Sequence, residues 1–314
     1  MTSRPRGTSA LRRRGPRRLF TRAAVWLVAA AAVLAVAALA AGELQRSTVA
    51  PSSKSAGSFP APARTGVATV WAVGDGADGS STAEGVAQLV ERDPPSRLLY
   101  LGDVYESGTA DEFRRNYDPL YGALRHDTAP TPGNHDWPTH AEGYDRYWAQ
   151  VTGRRPPSFY AFELAGWRII SLNSEEPLDG QTAQLRWLQR QVRGEGTCRL
   201  AFWHRPRYSA GGHGDQTDVD PLWSAVFNRA TLVINGHEHN MQQMRPRGAT
   251  TALIAGAGGH GHYSLNDDDP RLEWSDDTEN GALRLVLRPG SASFSFVASD
   301  GEILRDGEVR CAQS

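Results

Sequence analysis

Four apolar stretches of this sequence each end in a side chain that can bind a metal ion. Residues 67–74 are followed by Asp75, 98–102 by Asp103, 198–203 by His204, and 232–236 by His237. His239 lies two residues beyond the last of these, and the Pro-Gly turn in TPGNHDW presents Asn134 and His135. Ligands bind at the carboxyl edge of α/β sheets, so we expect these side chains to meet there.

The combined set of two carboxylates, one amide oxygen and three imidazoles indicates a metal site. Mixed oxygen and nitrogen ligands suit iron, manganese or zinc, whereas closed structural zinc sites prefer thiolates. Six ligands are too many for one ion that keeps an open position, so two ions that share a bridging carboxylate fit better. Residues i and i+2 face opposite ways on a strand, so His237 and His239 both bind metal only if the backbone leaves the strand at Gly236.

Each element alone also has an ordinary structural interpretation. An aspartate after a strand, such as Asp75, often caps a turn, and the stretch GNHD is also typical of a plain turn. His204 alone would be interpreted as a buried core histidine with a hydrogen-bond partner. Buried strands seldom end in such groups without a partner, because an unpaired buried polar group is costly. Five such elements at equivalent structural places favour the metal site.

Short apolar runs alternate with amphipathic helical stretches through residues 67–311, which we predict to be the catalytic domain. Strands are predicted in 66–75, 96–103, 197–204 and 230–237, a hairpin in 158–174, and helices in 82–92, 109–124 and 179–192. The last part is all strand, with turns at Pro289-Gly290 and Asp300-Gly301. Two sheets packed face to face, with helices outside, satisfy both parts and define an α/β (α+β) fold.

The ordered motifs GD, GD, GNHD, H and GHEH resemble those of the calcineurin-like metallophosphoesterase superfamily. The stretches FWHRPRYSAGGHG and INGHEHNMQQMRP are similar to its purple acid phosphatase-like branch in particular. The resemblance covers nearly all of residues 67–311. It implies a four-layer fold, in which two mixed β-sheets pack as a sandwich with flanking helices. It also implies a two-metal phosphoesterase that acts on a phosphorylated small molecule.

The resemblance further implies a role for each residue of the set. Asp103 would bridge two ions of iron, manganese or zinc. The first ion would also take Asp75 and His239, and the second would take Asn134, His204 and His237. His135 would lie near the leaving-group oxygen as general acid, or steady the phosphate. A metal-bound hydroxide would attack phosphorus in line.

Two positions depart from the family pattern. The first motif is Asp-x-His in much of the superfamily, but Ala77 stands at the histidine position. Purple acid phosphatases supply a tyrosine three residues after the bridging aspartate, whereas Tyr105 follows Asp103 by two residues and Glu106 occupies the expected place. A one-residue shift redirects a side chain on an extended backbone, so we expect Tyr105 not to bind the metal.

Four further features lie outside this set. His213, in the Gly-rich loop after His204, would reach either the substrate phosphate or only solvent. His260 and His262 resemble a second metal cluster, but we expect them to lie in an exposed loop, because no strand edge or acid anchors them. The aromatic cluster in 143–148 is expected to be core packing, and the acidic run 267–269 to be solvated.

The first 42 residues have the composition of a targeting segment. They hold eight arginines and no acidic residue, and the uncharged 19-residue run 23–41 follows RRLF, which fits a twin-arginine pattern. The segment is either a cleaved signal peptide or an N-terminal membrane anchor. Residues 43–66 are expected to be a Ser-, Ala- and Pro-rich linker. Either way the remainder lies outside the cytoplasm, secreted or anchored to the cell membrane facing outward.

The part of the chain after these arginines is acidic. The chain has 34 basic and 35 acidic residues, so removing the eight arginines leaves 26 against 35, a net charge of about −9. Such a charge argues against a nucleic-acid partner and against general binding to anionic membranes. The N-terminal segment is then the expected membrane contact.

Cys198 and Cys311 are the two cysteines of the sequence. In an exported protein an even count favours a disulfide over two buried thiols. Such a bridge would close a long loop and stabilise the domain by about 4 kcal/mol.

Together these patterns predict an exported binuclear phosphoesterase that hydrolyses small phosphate monoesters, as acid phosphatases do. The same site acting on phosphodiesters, such as nucleotides or lipid head groups, is an alternative, because loop shape decides the substrate. An alternative of a different class is a surface binding protein with a vestigial metal site, supported by the missing histidine at position 77. The sequence leaves the oligomeric state open.

Overall fold

The computed structural model describes residues 66–194 and 198–311, in which the strands form two sheets. The strands of the described residues are β1 (Ala68–Val73), β2 (Arg97–Tyr100), β3 (Thr128–Pro130), β4 (Tyr160–Leu164), β5 (Trp167–Ser171), β6 (Cys198–Phe202), β7 (Leu232–Asn235), β8 (Met241–Met244), β9 (Thr251–Ala255), β10 (Leu272–Asp276), β11 (Gly281–Arg288), β12 (Ser291–Ala298) and β13 (Ile303–Arg310). The predicted targeting segment and nearly all of the predicted linker lie outside these ranges.

Both sheets are mixed. The first has the order β13-β12-β11-β1-β2-β3, with β1 to β3 parallel and β11 to β13 an antiparallel meander. The second has the order β10-β8-β9-β7-β6-β5-β4, with β5, β6, β7 and β9 parallel. The predicted hairpin is β4 and β5, which pair antiparallel. The prediction of two mixed sheets with helices outside them is therefore confirmed.

The second sheet is buried on both faces, because its strand residues alternate between two apolar clusters. In β6, Leu200 and Phe202 belong to the cluster shared with the first sheet, whereas Ala201 belongs to the cluster on the opposite face. Strand side chains alternate between faces, so a continuous apolar run such as CRLAF serves both layers at once.

Helices cover the outer faces of the two sheets. The α-helices of the described residues are α1 (Ser81–Arg92), α2 (Ala110–Glu112), α3 (Asp118–Tyr121), α4 (Tyr144–Thr152), α5 (Ala183–Gln191) and α6 (Asp220–Val226). Apolar side chains of α5 and α6 pack in the outer cluster of the second sheet. α1 contacts β11 of the first sheet. A π-helical turn (Phe113–Tyr117) joins α2 to α3, so the helical stretch predicted over 109–124 is present in irregular form.

The core packing predicted for the aromatic cluster in 143–148 is confirmed, and the solvation predicted for the acidic run 267–269 holds for its first two residues only. In 143–148, Tyr144 and Trp148 are buried in the main apolar cluster. In the acidic run, Asp267 and Asp268 are exposed, while Asp269 pairs with Arg271. No helix in the described ranges is both long and apolar enough to span a bilayer.

A disulfide joins Cys198, the first residue of β6, to Cys311, which follows β13. β6 belongs to the second sheet and β13 to the first, so the bridge connects the two halves of the sandwich covalently. It closes a separation of 113 residues.

Candidate metal centre

The ends of four parallel strands, two from each sheet, place polar side chains in one small buried volume. Asp75 follows β1, Asp103 follows β2, His204 follows β6 and His237 follows β7. All four are buried, and ligand atoms of Asp75, Asp103 and His204 lie within 4.8 Å of one another. These side chains therefore lie together at the carboxyl edge of the strands, as expected from the sequence.

Three of these residues adopt left-handed backbone conformations that non-glycine residues rarely adopt. The φ angles are 59° at Asp75, 65° at Asp103 and 72° at His237. Such conformations cost free energy and concentrate at functional sites. At His237 the turn follows Asn235, the last residue of β7, and directs the backbone N–H to Asp75 Oδ2 at 2.8 Å. The chain therefore leaves the strand at Gly236, as binding by both histidines of GHEH requires.

A first group of donor atoms surrounds the phenol oxygen of Tyr105. Tyr105 Oη lies 3.0 Å from Asp75 Oδ1, 2.9 Å from His239 Nε2 and 3.4 Å from Asp103 Oδ2. His239 Nε2 is also 3.7 Å from Asp75 Oδ1. The phenol can donate only one hydrogen, but it faces several atoms that can accept one. The acceptor atoms left without a hydrogen allow this group of residues to bind a cation.

A second group surrounds the imidazole of His204. His204 Nε2 lies 3.0 Å from Asn134 Oδ1, 3.2 Å from His237 Nδ1 and 3.3 Å from Asp103 Oδ2. The same oxygen, Asp103 Oδ2, borders the first group at Tyr105 Oη. The Asp103 carboxylate thus stands between the two groups.

Backbone carbonyls orient two of the imidazoles so that a lone pair faces the centre. His204 Nδ1 donates to Leu101 O at 2.9 Å, and His239 Nδ1 donates to Gly261 O at 2.6 Å. With Nδ1 of each ring bonded to a carbonyl, Nε2 is the atom that faces the centre and that a metal ion would bind once its proton is released. His204 Nε2 faces Asn134 Oδ1 and Asp103 Oδ2, so a positive charge between these atoms, a proton or a metal ion, is stabilised there. The donor set therefore fits metal binding.

The electrostatics of the centre also favour a bound cation. Burial raises the pKa of Asp75 to about 7, and although His204 opposes this, Asp103 adds to it. Burial lowers the pKa of His204, but Asp103 and Asp75 outweigh it and raise that pKa to about 10. Burial lowers the pKa of His237 far below its ordinary value and that of His239 to about 4. The two imidazoles that stay neutral near pH 7 are in the form that binds metal ions.

The expectation for the direction of the Tyr105 side chain was wrong. It assumed an extended backbone, on which moving a residue by one position reverses the side chain. Asp103 instead has a positive φ, and Tyr105 N donates to Ala77 O at 2.9 Å. This turn brings the phenol oxygen among the donor atoms, although Tyr105 is only two residues after Asp103.

His135 lies at the exposed side of the centre, next to Tyr105. Its backbone N–H donates to Asp103 Oδ1 at 2.9 Å, and its Nδ1 donates to Glu106 O at 2.6 Å. The imidazole and the Tyr105 ring have centroids 4.7 Å apart. With Nδ1 held by a carbonyl, Nε2 is the atom left to meet a substrate.

His213 lies over His237 at the opposite side. The two imidazoles stack with centroids 4.2 Å apart. His213 is held by Glu238, a buried residue that stands between the two histidines of GHEH and accepts from His213 N at 3.1 Å and Ser209 Oγ at 3.0 Å. Glu238 was missed in the sequence, although an acid between two expected ligands is itself a signal.

The expectation that His260 and His262 lie in an exposed loop without an acid to anchor them was wrong, because both are only partly exposed and Asp78 anchors His260. His260 Nδ1 lies 3.0 Å from Asp78 Oδ2, and the His260 ring stacks on Tyr105 with centroids 3.9 Å apart. His262 Nδ1 lies 3.1 Å from His239 O. Asp78 and His260 are 182 residues apart in the sequence, so no local pattern indicated the pair.

Asp136 is a second buried acid that the sequence interpretation left without a role. Its carboxylate accepts from the backbone N–H groups of Asp103 at 2.9 Å, Val104 at 3.0 Å and Gly133 at 2.9 Å. It thereby ties the GNHD loop to the end of β2. Gly133 is required by close packing, because a Cβ at that position would lie 2.0 Å from Asp103 Oδ1.

The chain belongs to the calcineurin-like phosphoesterase family, whose model matches residues 68–241. The fold, the family and the order of the motifs agree with one another.

One curated relative is a probable cyclic nucleotide phosphodiesterase of Synechococcus sp., 28% identical over 174 residues. The match covers 51% of this chain and 63% of that protein, so the aligned part is less than two thirds of the relative.

Solved structures share the fold at low sequence identity. The Plasmodium protein GAP50, described as the anchor in the inner membrane complex, has a TM-score of 0.67 at 13% identity, covering 80% of this chain and 90% of that one. The purple acid phosphatase PPD1 of yellow lupin has a TM-score of 0.64 at 16% identity, covering 80% and 55%. A dimetal phosphatase of Danio rerio has a TM-score of 0.53 at 12% identity, covering 78% and 99%.

Proposed function

We propose that this protein is a binuclear metal-dependent phosphatase that hydrolyses small phosphate monoesters. The observation that carries the proposal is the position of Asp103. One of its carboxylate oxygens lies 3.4 Å from Tyr105 Oη in the first donor group and 3.3 Å from His204 Nε2 in the second. A carboxylate shared between two donor groups is the arrangement that two-metal hydrolases use.

We assign the ligands by these two groups. The first ion would be held by Asp75, Tyr105, His239 and Asp103, and the second by Asp103, Asn134, His204 and His237. Neighbouring ligands of one ion with bonds of about 2.0–2.2 Å lie roughly 3 Å apart, and distances of 2.9 to 3.4 Å around Tyr105 and His204 agree with this. Iron, manganese and zinc all accept this mixture of oxygen and nitrogen donors.

The metal ions would supply Lewis acidity that attracts the phosphate and activates water for attack. The residues of the chain supply position and protons. His135 is held by Glu106 O through Nδ1, so its Nε2 can donate a proton to the leaving oxygen or a hydrogen bond to the phosphate. His213 faces the centre from the other side and can contact a phosphate oxygen.

Hydrolysis of an aryl phosphate by the purified full chain, supplied in turn with manganese, iron and zinc, tests this function. We expect turnover with at least one metal and its loss in His237→Ala. The matched control is His126→Ala, which changes an exposed histidine outside the centre and should leave turnover unchanged. Absence of turnover with every metal, or full activity of His237→Ala, would refute the proposal.

A second candidate function is hydrolysis of phosphodiesters by the same centre. The similarity to a probable cyclic nucleotide phosphodiesterase favours it. Relative rates on an aryl phosphate monoester, a bis-aryl phosphate and a cyclic nucleotide distinguish the two, because all three depend on the same metal ligands. A ratio that favours the diesters more than ten-fold would reverse the assignment.

We also propose that the protein acts outside the cytoplasm. The arginine-rich and apolar composition of residues 1–41 supports export, and a disulfide between Cys198 and Cys311 persists in an oxidising compartment. Cell fractionation with an antibody against the catalytic domain tests this, and recovery of the protein with reduced cysteines in the cytosol would contradict it.

A further inference from the structure

Tyr263 is an aromatic side chain that stands beside the metal centre and is open to solvent. Tyr263 is 36% exposed, whereas the aromatic residues in the wall of the centre, such as Tyr105 at 2%, are buried. The other large hydrophobic residues of the described ranges with comparable exposure are Val67, Phe227 and Ile303, and none of them has a ring contact with a residue of the centre.

One face of the Tyr263 ring covers a proposed metal ligand. It stacks on His239 with centroids 4.1 Å apart and an interplanar angle of 25°. His213 meets the ring at 89° with centroids 4.6 Å apart. Because the His213 and His239 centroids are 6.5 Å apart, His213 lies beside the Tyr263 ring rather than over its outer face. No ring of the described residues therefore covers that outer face.

The surrounding residues hold Tyr263 in place. Its carbonyl oxygen accepts from Asn240 Nδ2 at 3.2 Å, and Asn240 Oδ1 accepts from Gln242 Nε2 at 2.8 Å. The point where a Cβ on Gly212 would stand is 3.4 Å from Tyr263 Cβ, so the glycine packs closely there. An aromatic ring fixed before binding loses little conformational entropy when it makes a contact.

We propose that Tyr263 forms a stacking subsite for a planar aromatic ring in the leaving group of the phosphoester bound at the metal centre, either the ring of a released phenol or the base of a released nucleoside. The inference rests on the proposed function and narrows its substrate class. Stacking on an aromatic side chain tolerates different rings, because every such ring has a π-face. His213, beside the ring, would remain free to contact the phosphate.

Calorimetric binding of phenylphosphonate and methylphosphonate to the metal-loaded full chain tests the subsite without turnover. The wild type should bind phenylphosphonate more tightly than methylphosphonate. Tyr263→Leu should weaken phenylphosphonate binding about ten-fold and change methylphosphonate binding less than two-fold. Tyr263→Phe, which keeps the ring and loses the hydroxyl, should bind both as the wild type does. Phe227→Leu is the matched control, since Phe227 is 37% exposed and lies at the end of α6.

Steady-state kinetics supply the second readout. In Tyr263→Leu the KM for an aryl phosphate should rise, whereas the KM for glycerol phosphate should not. Equal losses for aryl and alkyl ligands in Tyr263→Leu, or none, would overturn the stacking subsite while leaving the phosphatase intact. A loss for both ligands in Tyr263→Phe would also overturn it, since the hydroxyl would then be contacting the phosphate. A wild type that binds neither phosphonate and hydrolyses neither ester would refute the proposed function itself, and the subsite with it.

Discussion

The phenol oxygen of Tyr105 lies 3.0 Å from Asp75 Oδ1, so two residues that follow different strands share one edge of the centre. Position 77 is alanine where much of the superfamily has histidine. Ala77 is fully buried and forms a parallel bridge with Val104, which precedes Tyr105. Alanine has no side chain beyond Cβ. The short side chain at position 77 is therefore compatible with the position of the phenol beside Asp75.

We expect Tyr105→Phe to lose one metal ion. The phenol oxygen is a donor of the first group only, so the second ion should stay bound. The metal content after dialysis should fall from about two ions per chain, the number that a two-metal hydrolase holds, to about one.

Tyr147→Phe is the control for this substitution, because Tyr147 donates to Asp118 and lies outside both donor groups. If Tyr105→Phe keeps the metal content of the wild type, Tyr105 is not a ligand. In a protein loaded with iron, a ferric–tyrosinate colour that disappears in the same variant would confirm ligation by an independent readout.

We expect His260→Ala to weaken metal retention at the first group. The His260 imidazole stacks on the Tyr105 ring at an interplanar angle of 14° and is itself held by Asp78. An aromatic pair of this kind contributes about 0.5–1.5 kcal/mol, so the affinity for the first ion should fall about two- to ten-fold in a chelator competition assay.

His260→Phe keeps a ring on Tyr105 and should restore much of that affinity. If His260→Ala binds both ions as tightly as the wild type, the stacking does not position Tyr105. His126→Ala, in an exposed loop, is the matched histidine control.

Asp136→Ala should destabilise the fold. The carboxylate is buried and accepts three backbone N–H groups of the loops that carry Asp103 and Asn134. Leaving buried donors unsatisfied costs about 1–3 kcal/mol each, so we expect the free energy of unfolding to fall by about 3 kcal/mol or more in chemical denaturation.

Asp111→Ala removes an exposed acid that pairs with Arg114 on the surface, and surface changes of this kind alter stability by about 0.5 kcal/mol or less. A stability for Asp136→Ala equal to that of this control would show that the three hydrogen bonds are dispensable.

Opening the disulfide should also lower stability. Cys198 and Cys311 are 113 residues apart in the sequence, and closing a loop of about 100 residues stabilises a fold by roughly 4–5 kcal/mol in the chain-entropy model. Chemical denaturation measures the free energy of unfolding. Adding reductant to the wild type, or replacing both cysteines in the double variant Cys198→Ser and Cys311→Ser, should lower it by the same amount. A protein whose unfolding midpoint does not move on reduction would contradict this.

The positions that follow core strands could be predicted from the sequence. An apolar run that stops at Asp75, Asp103, His204 or His237 defines a strand end, and parallel strands bring their carboxyl ends to one edge. The alternation of β6 residues between two apolar layers likewise follows from the period of two in a strand.

The remaining contacts of the centre were beyond a local pattern. The direction of the Tyr105 ring depends on the positive φ of Asp103, which an alternating strand pattern does not contain. The stacking of His260 on Tyr105 depends on a loop that follows β9 folding back over the ends of β1 and β2. Tyr263 reaches His239 through the same loop, so long-range packing, rather than spacing, determines the rim of the centre.

The most direct test of the central claim is the metal-to-protein ratio of the purified full chain, measured by mass spectrometry for the wild type and for Asp103→Asn. Asp103 borders both donor groups, so a two-metal centre that it bridges should hold two ions in the wild type and retain at most one in the variant, with aryl phosphate turnover lost. Two ions retained by Asp103→Asn, or an active wild type that holds a single ion, would contradict the account.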